Sequence, residues 1–289
     1  MKTYLRRSAL YIPGDSESML RKSASIPSDM LLLNLEDGVA SSQKDAARKK
    51  VADALKNIDF GEREIVVRIN LLESEIGSKD LAAVVPLRPD GICIPKVEKT
   101  SEIEAAHSAV RELEIGNGLP AGSTKLHAMI ESAAGLLRAA DIAAASPRMA
   151  SLIFGSADYA NDLMCRPGED RLELLLALQM IVTAARSAGI DAIDAPCFDF
   201  RNHDLLYRES TQARRTGFTG KSALHPGQLA IINQIFDVTP EEIAWAERTI
   251  AELTEAENRG KALSTIDGKL VDNPHRALAE RILNRRKPH

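Results

Sequence analysis

Short apolar segments alternate with amphipathic segments along most of this 289-residue chain, and this alternation limits the possible folds more than any other feature. Eight apolar segments have the length and composition of buried strands, and they span residues 8–13, 30–35, 65–70, 91–97, 126–132, 151–158, 191–195 and 217–224. Segments with helical spacing lie between them, at residues 16–25, 42–55, 101–113, 133–145, 172–188 and 203–215. Eight candidate strands that alternate with helical segments over roughly 220 residues predict a TIM (β/α)8 barrel.

A doubly wound open sheet is the main structural alternative. That fold usually has a glycine-rich phosphate-binding turn after its first strand, and the sequence Pro-Gly-Asp-Ser at 13–16 is not such a turn. The helix predicted at 101–113 opens with Ser101 and Glu104, which have the spacing of a capping box. We therefore expect a barrel over residues 1–236 and a C-terminal helical extension with a lid over residues 237–289.

Composition narrows the class of protein. A formal net charge of −4 argues against nucleic-acid binding, because phosphate backbones are held by basic surfaces. No window reaches the ~18 apolar residues of a membrane span, and the N-terminal apolar run is too short for a signal peptide. The three cysteines, Cys93, Cys165 and Cys197, lack the spacing of a zinc or redox site. These properties lead us to expect a cytoplasmic enzyme.

Two of the apolar segments end on a carboxylate. The segment at 126–131 ends on Glu131, and the segment at 151–158 ends on Asp158. The carboxyl ends of barrel strands meet at one opening, so the two side chains are expected to lie close together. Carboxylate oxygens suit Mg2+, which leaves coordination positions open for substrate. We therefore predict that Glu131 and Asp158 are metal ligands of a lyase.

Polar side chains also follow the other predicted strands. Taken singly, each has an ordinary explanation: Glu36 and Asp37 could begin a helix, Lys96 could form a rim ion pair, and His225 could be a loop residue. As a group they suggest an active site at the opening of the barrel. The residues at these strand ends are Glu36, Asp37, Arg68, Asn70, Lys96, Asp194 and His225.

A series of motifs carries a family resemblance. They are RSALYIPG at 7–14, LNLEDGV at 33–39 with Lys44 and Arg48, VRIN at 67–70, IPKVE at 94–98, IES at 130–132, FGSADY at 154–159 and GFTGKSALHP at 217–226. In this order they resemble the citrate lyase beta-subunit-like (CitE-like) family of the HpcH/HpaI aldolase superfamily, over about residues 6–283. Asn34 departs from the aspartate usual at this position in relatives. Since Glu36 and Asp37 remain, we expect an altered but working site.

The resemblance implies a Mg2+-dependent lyase, with Mn2+ as an alternative ion, acting on a 3-hydroxyacyl-CoA in a trimeric or hexameric TIM-barrel enzyme. It implies that Glu131 and Asp158 bind the metal directly. The CoA ester is expected to contact Tyr11, Arg21, Lys22, Lys221, His225 and Pro226. The motifs also imply that Glu36 and Asp37 hold metal-bound waters and that Arg68 faces the oxygens of the oxo acid. Asp272 is expected to exchange a proton in the active site of a neighbouring subunit.

Asp272 also has an ordinary explanation, because it precedes Asn273 and Pro274 and could cap the last helix. The chemistry of the residues fits retro-Claisen cleavage, in which a metal acidifies the substrate hydroxyl and Arg68 offsets developing negative charge. A carboxylic acid such as Asp272 could exchange a proton with the thioester carbon.

The LNLEDGV variant and the compact length favour citramalyl-CoA as substrate, with pyruvate and acetyl-CoA as products. Two alternatives remain. One is a malyl-CoA or β-methylmalyl-CoA lyase, which releases glyoxylate from malyl-CoA, and the other is a citryl-CoA lyase, which releases oxaloacetate. Pyruvate differs from glyoxylate by one methyl group, and a binding pocket discriminates between two such ligands by only ~1–3 kcal/mol. Two other classes also remain: a Schiff-base aldolase using Lys96 or Lys221, and a non-catalytic subunit that binds an acyl carrier.

Overall fold

The computed structural model describes residues 4–285 and contains a closed barrel of eight parallel strands. Residues 1–3 and 286–289, at the ends of the predicted segments 1–236 and 237–289, lie outside the described part. Each strand pairs with the next in sequence, and the eighth pairs with the first, so the TIM barrel is confirmed over the open sheet. The strands are β1 (Ser8–Pro13), β2 (Met30–Asn34), β3 (Glu64–Arg68), β4 (Gly91–Ile94), β5 (Lys125–Ile130), β6 (Met149–Phe154), β7 (Asp191–Asp194) and β8 (Gly220–Ala223).

Helices follow the strands. Those that accompany the barrel are α1 (Glu17–Ser23), α2 (Lys44–Asn57), α3 (Glu75–Val84), α4 (Thr100–Gly116), α5 (Ala133–Leu137), α6 (Ala139–Ala144), α7 (Ser156–Asp162), α8 (Leu175–Ser187), α9 (His203–Thr216) and α10 (Leu229–Phe236). The sequence did not predict α3, because its buried side includes Gly77 and Asp80 and few large apolar residues. The helix predicted at 133–145 is broken at Arg138 into α5 and α6.

Side chains alternate between the two faces of each barrel strand. One apolar cluster fills the interior of the barrel and takes residues from seven strands: Ala9, Met30, Leu32, Val66, Cys93, Met129, Ile153 and Ile193. The residues between them pack outward against the helices in the larger core. This alternation decides which polar residues reach the opening: Arg68 shares the inward face with Val66, whereas Asp194 is one residue beyond the inward Ile193.

Two local predictions were wrong, and the first of them matters for the site. β6 ends at Phe154, so Asp158 does not end a strand but lies in the first turn of α7. The predicted capping box of Ser101 and Glu104 does not start α4. That helix begins at Thr100. The Glu102 carboxylate accepts hydrogen bonds from the backbone N–H groups of Glu98 and Lys99, which precede the helix.

The chain divides into two compact units, Met1–Phe236 and Asp237–His289. The second unit contains α11 (Pro240–Asn258), a hairpin of β9 (Ser264–Ile266) and β10 (Lys269–Val271), and α12 (Asn273–Asn284). Asp267 and Gly268 both have positive φ, as a tight two-residue hairpin turn requires. No helix within residues 4–285 combines the length and the apolar composition that a membrane crossing requires.

Candidate active site

A cavity of about 580 Å3, here called the mouth cavity, lies at the carboxyl ends of the barrel strands. Its walls include the last residues of β1, β2 and β3 and the segments that follow β5 and β6. In a TIM barrel this face carries the active site because the loops converge there. The predicted site residues that line it are Tyr11, Lys22, Asp37, Arg68, Glu131, Asp158, His225 and Pro226.

The two carboxylates predicted to bind metal reach this cavity from different elements. Glu131 directly follows β5 and is only 3% exposed, whereas Asp158 is exposed at the start of α7. The Lys96 backbone N–H donates a hydrogen bond to Glu131 Oε1 over 2.7 Å. Among residues 4–285, no hydrogen-bond donor reaches Glu131 Oε2 or either carboxylate oxygen of Asp158. The cavity therefore contains carboxylate oxygens that no protein group occupies.

The environment of Glu131 favours a bound cation. Burial raises the pKa of the Glu131 carboxyl to about 7 and the charge of Asp158 adds to the rise, although the Lys96 N–H opposes it. Within residues 4–285, no three His, Cys, Asp or Glu side chains form a group that could hold a metal ion. Mg2+ needs only one or two carboxylates, because it keeps waters and takes substrate oxygens. The pair therefore fits Mg2+ better than a metal enclosed by protein ligands.

Gly155, between β6 and α7, lies directly against Glu131. A Cβ atom at this position would come within 2.4 Å of Glu131 Oε2 and within 2.5 Å of Glu131 Cβ. Its φ of −103° is available to any residue, so the glycine is needed for space and not for backbone freedom. The absence of a side chain at position 155 leaves room for the Glu131 carboxylate.

Arg68 brings a fixed positive charge to the same cavity. It is 7% exposed, and its guanidinium lies over the Tyr11 ring at 5.2 Å from the centroid. Arg68 Nη2 is 3.2 Å from Glu36 Oε2 and donates to the Asp37 carbonyl at 3.0 Å. These contacts fix the guanidinium plane. Arg68 can therefore present a preorganised cation to an anionic ligand.

Lys96 forms ion pairs with Glu36 and Asp37 at the rim, in agreement with its ordinary explanation. Its Nζ lies 3.1 Å from both Glu36 Oε1 and Asp37 Oδ2. Burial lowers the pKa of Lys96, but the two carboxylates outweigh this and raise it above the ordinary value. A Schiff-base lysine needs the opposite shift. Lys96 is therefore unsuited to a Schiff-base mechanism. Its two carboxylate partners, Glu36 and Asp37, already form ion pairs.

Lys221 and Asp194 face the helix layer and not the mouth cavity. Lys221 is fully buried, with Nζ 2.7 Å from Asp194 Oδ2 and 3.0 Å from Glu209 Oε2. Arg171 Nη1 adds a second cation 2.9 Å from Asp194. The predictions that Lys221 contacts a CoA ester and that Asp194 belongs to the opening are therefore wrong for this structure, because both side chains point away from the barrel interior.

Replacing Lys221 with methionine is expected to lower the free energy of unfolding by about 3–5 kcal/mol, because buried Asp194 and partly buried Glu209 would lose a partner. Urea denaturation would measure the change. Lys79→Met is the control, since Lys79 pairs with Glu75 at the exposed surface and its loss should leave the free energy of unfolding nearly unchanged. Equal destabilisation by the two substitutions would contradict the assignment of Lys221 to a buried network.

Other predicted contacts are divided between the cavity and the rest of the molecule. Lys22 lines the mouth cavity, whereas Arg21 faces a separate groove beside α2 and binds Glu17 Oε1 at 2.8 Å. The CoA contact of Arg21 stays a prediction. His225 lines the cavity, stacks on Phe200 at a 5.2 Å centroid distance, and accepts a hydrogen bond from the N–H of Gly227. His225 thus combines a loop role with a place in the cavity wall.

Asp272 lies in the second unit, at the N-cap of α12. Its Oδ1 is 2.6 Å from His275 Nδ1, and 43% of its side chain is exposed. Asp272 therefore occupies the N-cap position that the capping explanation requires, in a capping-box arrangement with His275. The catalytic role implied by the resemblance stays a prediction.

Sequence reasoning did not identify several residues of the cavity wall. Met129 Sδ lies 3.5 Å from Arg68 Nη1, and Met19, Phe198 and Leu224 form exposed apolar parts of the wall. The position of Met129, two residues before Glu131 on the same strand face, was a usable signal. The apolar wall residues come from a helix and loops, and no motif pointed to them.

Comparison with known proteins gives a consistent result. The family model described as HpcH/HpaI aldolase/citrate lyase matches residues 7–226, and a model described as C-C bond lyase of the TIM-barrel fold matches residues 172–289. The chain is 35% identical to citrate lyase subunit beta of Leuconostoc mesenteroides, covering 96% of this chain and 92% of that protein.

Two further proteins resemble it over nearly the same length. The (3S)-malyl-CoA thioesterase of Cereibacter sphaeroides is 38% identical, covering 96% of this chain and 93% of that protein. The structure of CitE from Mycobacterium tuberculosis in complex with magnesium, acetoacetate and coenzyme A superposes with a TM-score of 0.75 at 28% identity. That comparison covers 96% of this chain and 97% of the other.

Proposed function

This chain belongs to the HpcH/HpaI aldolase/citrate lyase family of carbon–carbon lyases, and on that basis we propose that it cleaves a 3-hydroxyacyl-CoA with the help of Mg2+. The observation that carries the proposal is the mouth cavity, in which the Glu131 and Asp158 carboxylates keep oxygens free of protein donors beside the Arg68 guanidinium. The magnesium and coenzyme A bound by the similar M. tuberculosis protein support the choice of ion and thioester.

The proposed reaction is a retro-Claisen cleavage. The substrate hydroxyl loses its proton, the adjacent carbon–carbon bond breaks, and its electron pair passes to the thioester as an enolate. Protonation of the enolate carbon then gives acetyl-CoA, and the other fragment leaves as a 2-oxo acid. When bound, Mg2+ would acidify the hydroxyl and offset developing charge by several kcal/mol.

The protein groups have separate tasks in this reaction. Glu131 and Asp158 would hold the ion, while Glu36 and Asp37 would orient its waters. Arg68 would bind the carboxylate of the oxo acid, since its guanidinium is already fixed by neighbouring contacts.

We propose citramalyl-CoA as the substrate and pyruvate as the oxo acid. Among the described residues that line the mouth cavity, Arg68 is the buried cation, while Lys22 and His225 are exposed. One buried cation matches one carboxylate, and this supports pyruvate or glyoxylate over oxaloacetate, which carries two. The mainly apolar wall, including Met129 and Phe198, suits the extra methyl group of pyruvate.

A panel of citramalyl-, malyl-, β-methylmalyl- and citryl-CoA, each assayed with Mg2+ and with EDTA, tests the proposal. Mg2+-dependent formation of acetyl-CoA and pyruvate by the purified chain is the expected result. Failure to cleave any free CoA thioester, with cleavage only on an acyl-carrier partner, would support a subunit role like that of the citrate lyase relatives. Activity that survives EDTA and is trapped by borohydride would support a Schiff-base aldolase.

Thioester hydrolysis is a second candidate, favoured by the 38% identity to a malyl-CoA thioesterase. The two reactions differ in their thiol balance, because hydrolysis releases free CoA whereas cleavage of the carbon–carbon bond leaves the acetyl thioester intact. A thiol reagent added during turnover therefore separates them. Thiol release equal to substrate loss would establish hydrolysis, and its absence would leave the lyase.

Mg2+ affinity is expected to rise about tenfold between pH 6 and pH 8. The pKa of Glu131 is raised to about 7, so its carboxyl is mostly protonated at pH 6 and mostly ionised at pH 8. Calorimetric titration in two buffers would measure both affinity and proton release. Glu131→Gln is the control, in which this pH dependence should disappear. Equal affinity at both pH values in the wild type would contradict the assignment.

Asp272→Asn is expected to slow cleavage by about 10²-fold, because asparagine cannot exchange a proton with the enolate carbon. Its side-chain oxygen can still cap α12, so the melting temperature and Mg2+ affinity should change little. Single-turnover kinetics would provide the measurement. A wild-type rate in this variant would leave Asp272 with the capping role alone.

We further propose a homotrimer or hexamer in the cytoplasm, on the strength of the family resemblance. Light scattering coupled to size exclusion would measure the oligomeric state. Mixing the slow Asp272→Asn and Arg68→Lys chains would then test whether Asp272 acts in a neighbouring subunit. Recovery of activity in the mixed oligomer is the expected result, and a mixed oligomer as slow as its parents would contradict it.

A further inference from the structure

Asn34, the last residue of β2, lies at the centre of the contacts that hold Arg68. It is 7% exposed, and its Oδ1 accepts hydrogen bonds from Arg68 Nε at 2.8 Å and from the Glu36 N–H at 3.0 Å. Its Nδ2 donates to the Asp37 carbonyl. Two donors on one side and an acceptor on the other specify the orientation of the amide. An asparagine therefore satisfies all three partners.

Arg68 and its charged neighbours form ion pairs without a charge at position 34. Arg68 and Lys96 provide two cations, and Glu36 and Asp37 provide two carboxylates. Lys96 Nζ binds both carboxylates, so Arg68 has Glu36 as its ion-pair partner, at 3.2 Å. An aspartate at position 34 would place a further carboxylate against Arg68 Nε. Its second oxygen would also face the Asp37 carbonyl without a hydrogen to share.

We propose that Asn34 is a positioning residue that fixes Arg68 without neutralising it, and so strengthens binding of the carboxylate of a 2-oxo acid. The inference rests on the proposed function, because it takes Arg68 as the group that binds this carboxylate. A neutral amide orients the guanidinium through its Nε, and Nη1, which contacts the Met129 sulfur at 3.5 Å, can still donate to the ligand. A carboxylate at the same place would compete with the ligand for the same cation.

Calorimetric titration of the full chain in Mg2+ buffer, with pyruvate and separately with acetyl-CoA, tests this inference. Asn34→Asp adds a charge at nearly constant volume, and we expect it to weaken pyruvate binding on the order of tenfold. Acetyl-CoA has no carboxylate for Arg68, so its affinity should stay within about twofold. General damage to the fold would weaken both ligands together.

Asn34→Leu is the second variant, because it removes all three hydrogen bonds without adding a charge. We expect a smaller loss of pyruvate affinity than in Asn34→Asp, and this variant keeps the test decisive if Asn34→Asp does not fold. Pyruvate affinity unchanged in the soluble variants, or equal losses for both ligands, would overturn the inference. A wild type that binds pyruvate but cleaves no CoA thioester would refute the proposed function while leaving the inference about Asn34 in place.

Discussion

Replacement of Glu131 or Asp158 with alanine is expected to abolish Mg2+-dependent turnover while leaving the fold intact. The ion contributes several kcal/mol to the reaction, and each 1.36 kcal/mol is a factor of ten, so the loss should be on the order of 10³-fold or more. The fold should survive because Glu131 is a carboxyl whose pKa is raised by burial, which means that ionisation at this position is costly to the protein. Steady-state kinetics with saturating Mg2+, together with circular dichroism, would measure both effects.

Two matched variants separate charge from other effects. Glu131→Gln keeps an oxygen to accept the hydrogen bond of the Lys96 N–H and removes only the charge, so it should be as inactive as alanine. Asp162→Asn alters a carboxylate on the same helix as Asp158 that instead accepts a hydrogen bond from Ala133, and its turnover should be near that of the wild type. Unchanged turnover in both alanine variants would refute the metal assignment.

Arg68→Lys is expected to lower kcat/KM by about 10²- to 10³-fold, the cost typical of removing one preorganised group that stabilises developing negative charge. Lysine keeps the charge but cannot reproduce the fork that contacts Asn34 and the Asp37 carbonyl, nor the stacking on Tyr11. Kinetics with citramalyl-CoA would provide the ratio, and pyruvate binding would separate the loss of affinity from the loss of rate.

Arg21→Lys is the matched control for this substitution. Arg21 is exposed, pairs with Glu17 and faces a groove outside the mouth cavity, so we expect less than a twofold change. A large effect at Arg21 would mean that the ligand extends beyond the cavity along α1. Activity near the wild-type level in Arg68→Lys would remove Arg68 from the reaction.

The barrel could be predicted from the sequence because alternation of buried strands and amphipathic helices is a property of the whole chain. Local boundaries were harder. The segment after Phe154, with Gly155 and two small residues before Asp158, is compatible with a strand or a helix, and only its packing makes it helical. α3 was missed because its buried side relies on close backbone contact at Gly77 and not on large apolar residues.

Most residues predicted for the candidate site do line the mouth cavity, because parallel strands bring their carboxyl ends to one face. Errors arose where a shift of one residue reverses the direction of a side chain. Lys221 and Asp194 lie on the outward face of their strands. Arg21 and Lys22, neighbours on α1, likewise point about 100° apart, and only Lys22 lines the mouth cavity. A motif gives the position of such residues in the chain, but the face they occupy depends on register.

The close approach of Gly155 to Glu131 has a consequence for how the activity is recognised in related chains. Even one methyl group at this position would occupy the space of the acid, although the backbone there would accept it without strain. A homologue with alanine at position 155 would therefore retain every charged side chain of the reaction and fold well, but it would be inactive. The residue at position 155, which has no side chain, is therefore as informative about activity in a related sequence as the charged residues are.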